Sequence, residues 1–156
     1  MVIITSNNGY IKKYESKMGD FKVDKNIINW KTSYQFNHNL LLISLIALIV
    51  IGSVYYWADE RGEFFEPFWI IVLSIWYMTI GFSLFLIFRK IKSGYLIAGV
   101  LSWITITFWV FDNSHIVFQV SLIASEPNLF MTIRNFTGVG IAGLAIFSSH
   151  NAFHKI

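Results

Sequence analysis

The chain has 156 residues, room for one domain, of which 55% are hydrophobic and 13% charged, whereas about a quarter are charged in an ordinary soluble domain. Its net charge of +3 comes from clusters flanking apolar runs and not from one face or stripe, which argues against a nucleic-acid partner. The lack of cysteine excludes disulfides, thiolate nucleophiles, iron–sulfur clusters and cysteine-based zinc sites, and what remains is the composition of an integral membrane protein.

Residues 1–38 are the sizeable polar region, with Lys12, Lys13, Lys17, Lys22, Lys25 and Lys31 set against Glu15, Asp20 and Asp24. From Asp24 to Phe36, the apolar Ile27, Ile28, Trp30, Tyr34 and Phe36 alternate with polar residues. That pattern fits either a short interfacial helix lying on the membrane or a partly ordered cytoplasmic tail. Met18 is an alternative start to Met1. No cleavable signal peptide is expected, because the first apolar run begins near Leu40 and is too long for a signal core.

A first span is expected over 39–57, closed by Tyr55, Tyr56 and Trp57, whose rings prefer the headgroup level. The loop behind it carries Asp59, Glu60, Glu63 and Glu66 against Arg61. The second span, 67–88, is twenty-two residues without a formal charge, about 33 Å as a helix and enough to cross a bilayer. Pro67 suits its first turn, Glu66 complements its positive end, and Arg89, Lys90 and Lys92 close it.

The third span, 94–111, carries Gly94, Ala98 and Ser102 at steps of four, a small-residue stripe that permits close helix contact. Asp112, Asn113 and Ser114 interrupt it. Residues 115–125 are apolar but too few to span, which leaves a helical extension, a re-entrant piece or an interfacial helix. Glu126-Pro127-Asn128 is turn chemistry. The fourth span, 129–148, is smoothed by Gly138, Gly140, Ala142, Gly143 and Ala145, and a short tail, 150–156, comes after it.

The expected fold is therefore all-α: four transmembrane helices in an up-down bundle. The N-terminal segment, the 89–92 cluster and the tail hold ten of the twelve Lys and Arg residues, leaving only Arg61 and Arg134 elsewhere. The positive-inside rule puts that richer side, and both termini, in the cytoplasm, the protein sitting in an inner or cell membrane.

Chemistry is sparse. The spans hold no ionisable residue apart from Arg134, whereas ion-coupled carriers need such groups at depth. Arg134 and Asp112 lie toward the same side and form a candidate structural ion pair, the alternative being an arginine that snorkels to the headgroups. Asp112 and His115, at i and i+3, are a candidate first shell for copper, iron or zinc, with Glu63 or Glu66 available to complete it. His38, His150 and His154 share one membrane side and are candidate cofactor ligands, for a metal or for a haem held between helices. Trp76, Trp103 and Trp109 suggest either a quinone or lipid pocket or lipid-facing rings. No phosphate-cradling loop or nucleophile elbow is present.

The expected function is thus a non-catalytic one: a small integral subunit of a larger membrane complex, most naturally a respiratory or monooxygenase-type oxidoreductase, acting in assembly or stabilisation. Its partners would be the lipid bilayer and other transmembrane subunits. No catalytic residue and no cofactor is expected. The rival readings are a redox protein binding haem or copper, and an oligomeric channel or small-solute carrier.

Overall fold

The computed structural model describes residues 25–58, 67–122 and 126–156. The Met1-or-Met18 start, the acidic loop with Glu63 and Glu66, and the side chains of Ile27, Ile28, Trp30 and of the closing rings Tyr55, Tyr56 and Trp57 lie outside the described residues. Among those described, every regular element is helical: α1 (Lys25–Ala58), α2 (Pro67–Phe88), α3 (Lys92–Asp112), α4 (Ser114–Val117) and α5 (Leu129–Phe153). Four of them, α1, α2, α3 and α5, are long and apolar enough to cross a membrane. The chain is a multi-pass membrane protein by that criterion.

α2 coincides with the expected span, and α3 exceeds its expected range by a residue or two. The other two differ more. α5 runs on to Phe153 because nothing between Ser148 and Phe153 breaks a helix. α1 is one uninterrupted helix from Lys25, with its apolar membrane-length stretch starting at Thr32, so among the described residues the segment from Lys25 to Phe36 is continuous with the span and is not a separate surface helix. The segment has no proline to stop it, and its polar side chains find partners within the protein. Asn37 Nδ2 donates to the Ser33 carbonyl at 2.7 Å, and Tyr34 and His38 both reach Tyr95. Of the apolar 115–125 stretch, residues 115–122 are described: they start in the single turn of α4, after which the backbone folds back so that Leu122 N–H donates to Ser114 Oγ at 2.9 Å.

α5 packs most extensively, against α3 and then α1, while α2 packs mainly on α3 and only lightly on α1. The core joins Leu41, Leu45 and Leu48 of α1 with Ile80 and Ile87 of α2, Tyr95, Ala98 and Leu101 of α3, and Ala142, Ala145 and Ala152 of α5. The alanines let α5 approach its neighbours closely, which is how helices gain contact where lipid removes the hydrophobic drive. Gly138 is the extreme case: a Cβ there would stand 1.8 Å from the Trp109 ring.

The turn between α2 and α3 closes itself. Ile91 N–H donates to the Leu86 carbonyl at 2.9 Å and Lys90 N–H to the Ile87 carbonyl at 2.8 Å, the double bond pattern that ends many helices. The left-handed position that glycine usually fills is held by Lys90, φ 55°. Directly after it, Gly94 lies so close to Leu86 that a Cβ would stand 2.7 Å from the leucine Cβ, and Ser83 Oγ donates to the Gly94 carbonyl at 2.9 Å. α2 and α3 thus form one tight hairpin.

Candidate functional site

Two polar layers cross the helices, one at each end of α3. The first is centred on Tyr95, which is fully buried. Its hydroxyl lies 2.6 Å from His38 Nδ1 and 2.9 Å from the Tyr34 hydroxyl, and its backbone carbonyl accepts from Ser149 Oγ at 2.5 Å. One residue therefore ties α3 to α1 and α5. Tyr34 and His38 are four apart on α1, so one helix face delivers both. With His38 neutral and its proton on Nε2, Tyr34 donates to Tyr95 and Tyr95 to His38; the other tautomer reverses the chain.

Around this layer lie the cations. Lys92 Nζ sits 4.5 Å above the Phe153 ring, and Lys155 Nζ donates to Ser33 Oγ. The Phe153 ring meets His154 edge-on at 5.6 Å, and His154 meets His150 at 4.5 Å. Of the three candidate histidines, His150 and His154 thus stand together on the exposed side of α5. His38 is buried and packs between Tyr34 and Tyr95.

The second layer is centred on Arg134, which is buried among α1, α3 and α5. Its Nε donates to the Ile51 carbonyl at 3.0 Å and its Nη1 to Asn135 Oδ1 at 2.6 Å. Asn135 Nδ2 in turn donates to Asp112 Oδ2 at 2.7 Å. The guanidinium lies 4.9 Å over the Trp109 ring, which itself rests on Gly138. A fully buried amide thus stands between the two charges singled out in the sequence, accepting from one and donating to the other. Such satisfaction offsets the cost of holding a guanidinium away from water.

His115 stands beyond this layer on α4, with Nδ1 buried and unpartnered. Next to Asp112, Asn113 Nδ2 donates to the Trp109 carbonyl at 2.8 Å while its Oδ1 is buried and also unpartnered. Among the described residues no three histidine or acidic side chains gather in metal-binding geometry. The three tryptophans have different surroundings. Trp76 Nε1 donates to Thr105 Oγ1 at 2.9 Å, Trp109 is buried under Arg134, and Trp103 faces outward with 60% of its surface exposed.

Apart from those of Tyr34, Tyr95, Ser83 and Ser149, which reach a neighbouring helix, many hydroxyls of the spans bond within their own helices. Ser53, Thr79, Ser102, Thr107, Thr137 and Ser148 each donate to the carbonyl four residues back. Sequence reasoning missed Tyr95, Ser149 and Asn135, the residues that join helices. Only the Tyr34–His38 spacing hinted that α1 presents a polar face to a neighbour.

Compared with known proteins, the chain matches no family model, no curated protein and no solved structure.

Proposed function

We propose that this chain is a non-catalytic integral subunit of a larger membrane complex, in which it serves assembly or stabilisation. The observation that carries this reading is the placement of its glycines. Gly81 on α2 and Gly140 and Gly143 on α5 have nothing within 4 Å of where a Cβ would be. A helix-interior glycine costs about 1 kcal/mol relative to alanine, and in a membrane its use is to admit another helix closely. Gly81 lies on the least enclosed span: 22% of the α2 stretch is buried, against 39% for each of the other three.

The internal use of polar groups supports the same reading, because the two layers and the back-bonded hydroxyls leave the spans as packing elements. The pairings of Ser33 with Lys155 and of Ile51 with Arg134 support an up-down bundle with both ends on one side, and the concentration of lysines and arginines supports a cytoplasmic position for that side. Respiratory and monooxygenase-type oxidoreductases are the host class we favour, since such assemblies gather spans without catalytic groups. A second reading, metal binding by His150 and His154, is favoured by their 4.5 Å ring separation.

The deciding experiment is affinity capture of the full chain from native membranes in mild detergent, with mass spectrometry and metal analysis of the co-purifying material. Stoichiometric transmembrane partners are expected, and Gly140→Leu should release them while leaving the chain itself folded. A lone homo-oligomer would overturn the subunit reading. Metal bound stoichiometrically to the isolated chain would favour the second.

A further inference from the structure

Lys92, Lys155, His150 and His154 form one connected patch at the end of the helices where α3 begins and α5 stops. The connection runs through contacts: Lys92 over the Phe153 ring, that ring against His154, His154 against His150, and Lys155 bonded to Ser33. Lys92, His150 and His154 are exposed. Arg89, stacked 5.4 Å over the Phe85 ring, and Lys90 add two more cations on the adjoining turn.

Among the described residues, none of the contacts holding these cations is to a side-chain carboxylate. Lys155 rests on a hydroxyl, and Lys92 and Arg89 on aromatic rings. The side-chain carboxylates among the described residues are Asp112 and Glu126, both placed by sequence at the opposite ends of α3 and α5. An ammonium has three donors, and a ring face uses none of them. The patch is therefore a set of positioned cations with hydrogen-bonding capacity to spare, at the ends of the membrane-length helices α3 and α5.

We infer that this patch is a binding site for the phosphate headgroup of an anionic glycerophospholipid, with Lys92 and Lys155 as its principal cations and His150 and His154 at its rim. Charge complementarity and position select that occupant. The exposed apolar residues Ile91 and Phe88 beside the patch would meet its acyl chains, as basic pockets between spanning helices do for anionic lipids. The bound lipid supplies the counter-charge that the described side chains lack there.

The test uses purified full-length protein in mild detergent, with thermal unfolding and native mass spectrometry as readouts. Phosphatidylglycerol should raise Tm and appear as a retained adduct, phosphatidylcholine with the same chains should do neither, and inorganic phosphate alone should give no rise. Lys92→Gln with Lys155→Gln should weaken phosphatidylglycerol binding about thirtyfold, from about 1 kcal/mol per basic residue, whereas Lys92→Arg should retain it. Should the double variant fail to fold, Lys92→Gln alone, which leaves the Ser33 contact in place, must weaken binding severalfold. Equal effects of the two lipids, an undiminished response in the glutamine variants, or an equal rise with inorganic phosphate would each overturn the assignment. Stoichiometric capture of an acidic protein segment that displaces the lipid without loss of Tm would overturn it as well.

Discussion

A single missing methyl group decides how Trp109 sits, and through it how Arg134 is held. Gly138→Ala would put a carbon inside the tryptophan ring's space, so the ring must move and the guanidinium above it loses its platform. Overpacking of this kind costs about 1–3 kcal/mol; thermal unfolding in detergent should show a clear drop in Tm. Gly140→Ala, two residues on and in open space, should leave the isolated chain unchanged or slightly more stable. Tyr95→Phe keeps the ring but removes the hydroxyl that satisfies His38. That leaves a buried nitrogen without its partner, at a cost of about 1–3 kcal/mol. Adding His38→Phe should then cost less than the two single changes combined, and a double-mutant cycle by thermal unfolding reads the coupling. Lys90 is the reverse case. Its left-handed backbone costs an L-residue about 1 kcal/mol, so Lys90→Gly should raise Tm, and Lys90→Ala, with the same strain, should not.

Elements were legible in the sequence where charge and packing agree. α2 was found to the residue because a charge-free run lies between a proline that can open a helix and a basic cluster that closes it. α1 was mis-begun because the mixed polar and apolar stretch up to Phe36, Tyr34 included, fits a surface helix or a tail, and His38 fits a ligand, when each is taken alone. Their partners, above all Tyr95, lie dozens of positions away, and no local pattern encodes a contact between helices. Asn135 was overlooked for the same reason: an asparagine inside an apolar span draws no notice until Arg134 and Asp112 are seen on either side of it. His150 and His154 were legible as neighbours because i and i+4 share a helix face. α2 is held mainly to α3, through the Gly94 approach, the Ser83–Gly94 bond, the Trp76–Thr105 bond and buried Ile80 and Ile87. Gly94→Val should therefore pry α2 from α3, a change that faster backbone hydrogen exchange confined to α2 would reveal while α1, α3 and α5 remain protected.

For the molecule as a whole, the lack of any cysteine makes threading directly measurable. Single cysteines introduced at Ser93 and Asn151 should resist a membrane-impermeant thiol reagent in intact cells and react after lysis. One at Glu126 should react without lysis. Labelling of the first two in intact cells would reverse the proposed orientation.

The part α5 plays as the element that joins α1 to α3 also has a consequence in time. It is the last of the four long helices to be made, and synthesis delivers a chain from its N-terminus. Until α5 emerges, the Tyr95 carbonyl lacks Ser149, Ser33 lacks Lys155 and Trp109 has no glycine to rest on. The α2–α3 hairpin is self-contained and can form early, and α1 can reach it through Tyr34 and His38, but the contacts that α5 adds to both come only once α5 has been made. A nascent chain halted before α5 would therefore carry these polar groups uncovered inside the membrane, where an unpartnered backbone or side-chain group is costly.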